Sequence, residues 1–411
     1  MALQTAPLTD IISDGSLTSR IGRKGLTIGL VAMGIAVTLG SLEGDHFRRF
    51  FFGYLTAFSW ILSIALGGLF FVIIQHLTNA HWSVTVRRIA EYTIGAFPWI
   101  GVMALPLLYP LFSHHGVDDF GGLLWPWIHP HGEHAALVEH KSSWLNVNFF
   151  SFRLAFYLLL WSGMGRFFLR QSLAQDESSD YAPTLKAKRW SPIAVILFAL
   201  SISFASFDII MSLAPEWFST IFGVYYFAGA TMSIMAWLIL AGRCLQRGGA
   251  LATVITKEHY HDLGKFMFAF VFFWGYIAFS QFMLIWYANI PEETGWFIIR
   301  RTEAWMPVTW SLVIFHFAVP FLGLISRHTK RHSGALTFWA CYLLVLQWVD
   351  MAWLILPEYS HEVLPIGIME IVSAVGLFGV FVWAVARTAG NKPLIPQKDP
   401  LLGDSLAFQN T

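Results

Sequence analysis

FDIIMSLAPEW, residues 207–217, closes one apolar run, and VDMAWLILPEY, residues 349–359, closes another. Each places an aspartate, Asp208 or Asp350, seven residues before a Pro-Glu-aromatic triplet. What surrounds those acids decides the fold, and composition names the solvent. The 411 residues are 56% hydrophobic and only 12% charged, whereas a soluble domain carries roughly 25% Asp, Glu, Lys and Arg. Such a chain has too little polar surface to cover itself in water. Apolar stretches of about 20 residues or more, each able to cross a hydrocarbon core of about 30 Å as a helix, recur along nearly the whole sequence. The chain therefore reads as an all-α, multi-pass membrane protein.

Ten helices are expected, at about 22–41, 48–77, 86–112, 147–170, 190–214, 217–246, 262–290, 304–326, 334–356 and 364–387. An even number puts both termini on one side, and Lys and Arg choose that side because they are retained in the cytoplasm. Only six of the 26 basic residues, Arg48, Arg49, Lys141, Arg153, Arg300 and Arg301, fall in segments that would face outward. Both termini are therefore expected in the cytoplasm, with residues 1–21 and 389–411 as tails around a membrane domain at 22–388. The N-terminal residues lack the short apolar core and cleavage site of a signal peptide. The first span, GLTIGLVAMGIAVTLG, is expected to remain.

Several functions are excluded at this level. A net charge of +1 with no basic face leaves nothing to neutralise nucleic-acid phosphates. Two cysteines, Cys244 and Cys341, cannot supply the four ligands of an iron–sulfur cluster. The outer loop 113–146 holds His114, His115, His129, His131, His134 and His140 around WPWIHPHGEH. Imidazoles so spaced can converge on a metal, but Pro and Gly make this an irregular loop, and His with Trp suits a surface where another subunit docks. No metal is assigned.

The repeated motif gives the chain two halves. Each Pro stops a helix, each Glu is expected in water, and Trp217 and Tyr359 are expected at headgroup level. Helices two to five, about 48–215, and six to nine, about 216–357, then form two related four-helix bundles with helices one and ten at the flanks. At 1.5 Å per residue both aspartates lie about 10 Å inside the outer boundary. An ionised carboxylate there costs several kcal/mol unless paired or hydrated. For Asp208 two readings stand, an ion pair with Arg153 that holds the first bundle together, or a proton carrier. Asp350 has no matching cation in helix eight and is the better candidate carrier. Glu370, in PIGIMEIVSAVG of helix ten, is a third acid at that depth, or else a lipid-boundary acid that snorkels to the headgroups. His316 near mid-membrane and His76 near the inner end of helix two suit proton passage or an ordinary interhelical hydrogen bond. Tyr225, Tyr226, Gln281 and Gln347 are candidates to hydrogen-bond a quinone carbonyl or a water chain, with core packing as their commoner role. Bound haem b would need two facing histidines at one depth, and only His316 is deep. A secondary transporter also uses repeats and midplane carboxylates, but its helices are broken near the midplane. Here prolines fall mostly at helix ends, Pro320 being the main exception.

The segment EHYHDLGKFMFAFVFFWGYIAFSQFMLIWYANIPEETGWFIIRR, residues 258–301, adds a resemblance. HDLGK, AFSQFMLIWYANIPEET and the PE[WY] helix ends, with the ten-helix layout, closely resemble the ActF-type membrane subunits of alternative complex III. These belong with the polysulfide-reductase-like (NrfD-like) family. The resemblance covers most of the chain and is weakest in the two tails and the His-rich loop. It implies two four-helix bundles in a bacterial inner membrane, within a complex that oxidises quinol, menaquinol included, and passes electrons to cytochrome c or directly to a terminal oxidase. The implied partners are a second NrfD-like subunit of the ActC type, a large iron–sulfur subunit related to molybdopterin oxidoreductases, and multihaem and monohaem cytochromes c. No redox cofactor is implied for this subunit, whose expected part is quinone handling, proton conduction or both. No quinol ligand carries over by motif. The rivals are a purely structural anchor for the redox subunits and the membrane subunit of a polysulfide- or tetrathionate-type reductase.

Overall fold

A computed structural model describes residues 15–113, 123–130 and 135–410. Ten of its helices are long and apolar enough to cross a membrane: α1 Ser16–Leu42, α2 Arg48–Leu77, α3 Val84–Phe112, α4 Val147–Glu177, α5 Ala182–Leu213, α6 Phe222–Arg247, α7 Lys257–Ala288, α8 Met306–Ile325, α9 Ser333–Glu358 and α10 Ile368–Ala389. The protein is a multi-pass, all-helical membrane protein. His114, His115, His131 and His134 of the His-rich loop lie outside the described residues.

Several helices outrun their apolar cores, because a helix does not stop where the lipid stops. α5 starts at Ala182 rather than near 190: Asp180 Oδ1 accepts the Ala182 N–H at 3.1 Å, and Pro183 occupies the first turn, where its missing donor is harmless. α6 starts later than expected, at Phe222, because residues 214–221 form an irregular turn after α5. Trp217 is packed inside the protein. It is 4% exposed and stacks flat on Trp296 with ring centroids 4.4 Å apart.

Prolines break two spans internally. α3 passes from Val84–Gly95 through Phe97–Ala104 and a tighter turn at Leu105–Leu108 to Tyr109–Phe112, with Pro98, Pro106 and Pro110 each removing a donor. α8 widens into a π-helical turn over Leu312–Ala318. Pro320 follows, with no N–H to offer the carbonyl four residues before it, at His316.

Packing follows the distribution of apolar surface. α2 is apolar all round and accordingly buried along almost its whole length. It packs on α3, α5, α6, α9 and α10, while α3 meets α4 and α4 meets α5. α6 packs on α7 and α9, and α8 lies against both α7 and α9. α1 rests mainly on α10 through small residues: a β-carbon on Gly29 would sit 2.8 Å from the Gly376 carbonyl oxygen, so only glycine allows this approach. α1 begins where α10 ends, with Thr18 Oγ1 donating to the Gly390 carbonyl at 2.9 Å. Beyond α10 the chain folds back across that end of the helices. Asp399 pairs with Arg87, the Gln397 N–H donates to Asp176 at 2.8 Å, and Ser405 Oγ donates to the Trp82 carbonyl at 2.9 Å.

Candidate functional site

The two motif aspartates have different surroundings. At the end of α5, Asp208 receives two bonds from the Arg153 guanidinium on α4, Nε to Oδ2 and Nη2 to Oδ1, both 2.8 Å. Tyr157 Oη donates to Oδ2 at 2.8 Å and Trp144 Nε1 to Oδ1 at 2.9 Å. Arg153 is itself wedged between rings, 4.1 Å from the centre of Trp144 and 4.4 Å from that of Phe149. Every oxygen of Asp208 is occupied, which suits a fixed strut. Removing one partner of such a buried pair costs about 3–5 kcal/mol.

Asp350, on α9, is fully buried and receives two neutral donors: Tyr225 Oη on α6 to Oδ1, and Trp274 Nε1 on α7 to Oδ2 at 3.2 Å. The Trp274 ring stacks on His316 in the π-helical turn of α8, centroids 4.2 Å apart. Both ring nitrogens of His316 are buried without a partner among the described residues. One turn before Asp350, Gln347 is fully buried with neither amide atom bonded to protein. Its amide fits against Gly229, one turn along α6 from Tyr225, where a β-carbon would lie 2.6 Å from Gln347 Nε2. One further turn along the same face of α6, the buried Ser233 Oγ also has no partner. Each such atom costs about 1–3 kcal/mol if left unsatisfied. Buried water ordinarily meets that need.

A cavity of about 530 Å³ adjoins this cluster. Tyr225, Trp274, Gln281, Arg300, Trp353 and Phe317 are among its walls, which are otherwise mainly aromatic and aliphatic side chains of α7 and α8. Gln281 Oε1 is buried there without a partner. Beyond it lies a second cavity of about 420 Å³, lined by Glu216, Glu292, Glu358 and His361. Three Pro-Glu pairs, Pro215-Glu216, Pro291-Glu292 and Pro357-Glu358, thus bring their acids to one vestibule.

Arg300 stands between the two cavities. It is fully buried, lines the first, and bonds at 3.3 Å to Glu358 of the second. Carbonyls of Trp296, Trp353 and Leu354 accept its remaining bonds at 3.0, 3.1 and 2.9 Å. The Trp296 ring, which borders both cavities, lies 3.4 Å from its guanidinium carbon. Burial pushes the Arg300 guanidinium down to about 10 against the opposing charge of Glu358.

The remaining candidates are dispersed. Glu370 does not snorkel: it is fully buried, accepts from Arg49 Nε at 2.9 Å and Nη2 at 3.2 Å, and takes the Gly367 N–H at 2.8 Å. Tyr226 Oη is spent on the Ser59 carbonyl at 2.7 Å. His76 is buried against Phe168, centroids 5.7 Å apart, with Nε2 unpartnered. The cluster therefore gathers Asp350, Tyr225, His316, Gln347 and, through the cavity, Gln281. Sequence reasoning missed Trp274, Gly229 and Arg300, of which only Arg300 left a trace, as one of six outward cations. No family model matches the chain, and no curated protein matches it significantly.

Proposed function

We propose that the chain is an NrfD-like membrane subunit of a quinol-oxidising respiratory complex of the alternative complex III type, in a bacterial cytoplasmic membrane, and that its second half conducts protons through Asp350. The carrying observation is the contrast between two equally buried acids. Asp208 is neutralised by a guanidinium, whereas among the described residues Asp350 has only the neutral donors Tyr225 and Trp274. The helix neighbours support two repeated bundles, α2–α5 and α6–α9, each with a motif acid near the end of its last helix. The excess of Lys and Arg where α1 begins and α10 ends supports cytoplasmic termini.

In this reading water at Ser233, Gln347 and His316 brings a proton from the cytoplasmic side to Asp350. When Asp350 gives up the proton, the Tyr225 hydroxyl and Trp274 N–H steady the carboxylate. The proton leaves past Arg300 and Glu358 into the acidic vestibule. Electron transfer belongs to the haem- and iron–sulfur-bearing partners. The Arg153–Asp208 and Arg49–Glu370 pairs make the first half a scaffold, the part of the chain that a purely structural anchor would share. A second reading, quinone binding by this subunit, is favoured by the aromatic cavity with the free Gln281 oxygen beside Asp350.

Purification of the tagged chain from its native membrane under mild detergent tests complex membership. We expect c-type haem absorbance and an iron–sulfur signal to co-purify. Recovery of the chain at full yield with neither would contradict the reading and favour a transporter.

A further inference from the structure

Where α6 ends and α7 and α9 begin, a separate pocket of about 410 Å³ is lined by Arg243, Gln246, Lys257, Tyr260, Lys330 and Arg331 among others. Arg331 is matched there, donating through both terminal nitrogens to Glu258. Arg243, Lys257 and Lys330 have no carboxylate at ion-pair distance among the described residues. Nor does Lys330 reach for water as a surface lysine would. It is 7% exposed, gives Nζ to the Leu324 and Ile325 carbonyls at 2.8 and 3.2 Å, and lies 5.0 Å from the Phe268 ring centre. Arg243 donates to Gln246 Oε1 at 3.0 Å, while its buried Nε has no partner. Burial and the neighbouring Lys265 push the Lys330 ammonium down, as befits a cation short of an anion.

Two further features select the anion. The N-terminal ends of α7 and α9 open at this pocket and add their partial positive charge. The pocket also lies at the ends of apolar spans, and along α7 and α9 apolar side chains are exposed beyond it, Phe272 at 53% and Phe338 at 58%. A soluble anion gains nothing from those apolar flanks, whereas acyl chains do. We propose that this pocket binds the phosphate headgroup of an anionic membrane lipid, with the chains lying along α7 and α9. Basic pockets between helices at the cytoplasmic surface are physically suited to such headgroups, each cation contributing about fivefold in affinity.

The test uses the purified full chain in neutral detergent, titrated with short-chain phosphatidylglycerol, phosphatidylcholine or inorganic phosphate while the unfolding midpoint is followed. The proposal expects a saturable rise with phosphatidylglycerol alone. Arg243→Gln and Lys257→Gln should each raise the half-saturating concentration about fivefold, whereas Lys186→Gln with Arg189→Gln, which removes two exposed cations elsewhere, should not. Lys257 is exposed, so its change removes no strut of the fold, while Arg243 bonds Gln246 and lies 5.7 Å from the Tyr260 ring centre, so its unfolding midpoint without lipid is the baseline for its titration. Equal responses to both lipids, or an unchanged midpoint concentration in the Arg243→Gln/Lys257→Gln pair, would overturn the proposal. Full stabilisation by inorganic phosphate at the same concentrations would assign the pocket to a soluble phosphate and overturn the lipid source.

Discussion

Gly229 and Gln347 meet so closely that a β-carbon on the glycine would lie 2.6 Å from one amide atom and 2.7 Å from the other. A missing side chain on α6 therefore makes the room in which a buried, unbonded amide sits one turn from Asp350. Gly229→Ala should force Gln347 aside and cost about 1–3 kcal/mol by overpacking. Gln347→Ala in the same chain should return most of that loss. A double-mutant cycle on thermal unfolding measures the coupling, and additive effects would deny the contact.

The Arg153–Asp208 pair should behave as a strut. Arg153→Met leaves a buried carboxylate without its cation and should cost about 3–5 kcal/mol. The fraction of complex that survives should keep its normal proton release per electron. Unfolding in mild detergent and proton counting on the surviving fraction check the two halves of this prediction.

Glu358 should matter differently. Glu358→Gln keeps the shape of the vestibule but removes the charge that faces Arg300 at 3.3 Å. With its opposing charge gone, the Arg300 barrier should repel protons more strongly, so proton release per electron should fall while assembly is retained. Vesicles containing the intact complex and a pH-sensitive dye provide the measurement, with size-exclusion elution as the check on assembly.

Asp399 ties the returning C-terminal segment to Arg87, which Glu91 also contacts at 3.0 Å. Asp399→Asn should loosen that segment and speed its proteolysis after α10 without altering the Asp350 cluster. Limited proteolysis timed against proton release separates the two effects.

The ten spans and both motif acids were legible in the sequence because length, apolarity and a repeated Asp-to-Pro spacing act along the chain. Arg153 was legible too, since it enters its helix from the same side as Asp208. Arg49 was not read as the partner of Glu370, because the two residues are 321 positions apart and nothing local links them. Trp274 and Gly229 carry neither charge nor motif, so their contacts with Asp350 and Gln347 become visible only when α6, α7 and α9 are packed. Trp217 has a partner that its motif did not reveal. An aromatic after a Pro-Glu reads as an interface anchor, yet Trp296 gives it a buried stacking partner.

The central claim is that Asp350 carries protons and Asp208 does not. The most direct measurement is proton release per electron by vesicles containing the assembled complex, with Asp350→Asn compared against the unaltered chain at matched quinol turnover. The account predicts a marked fall in protons released with assembly intact. An unchanged stoichiometry at normal turnover would contradict it.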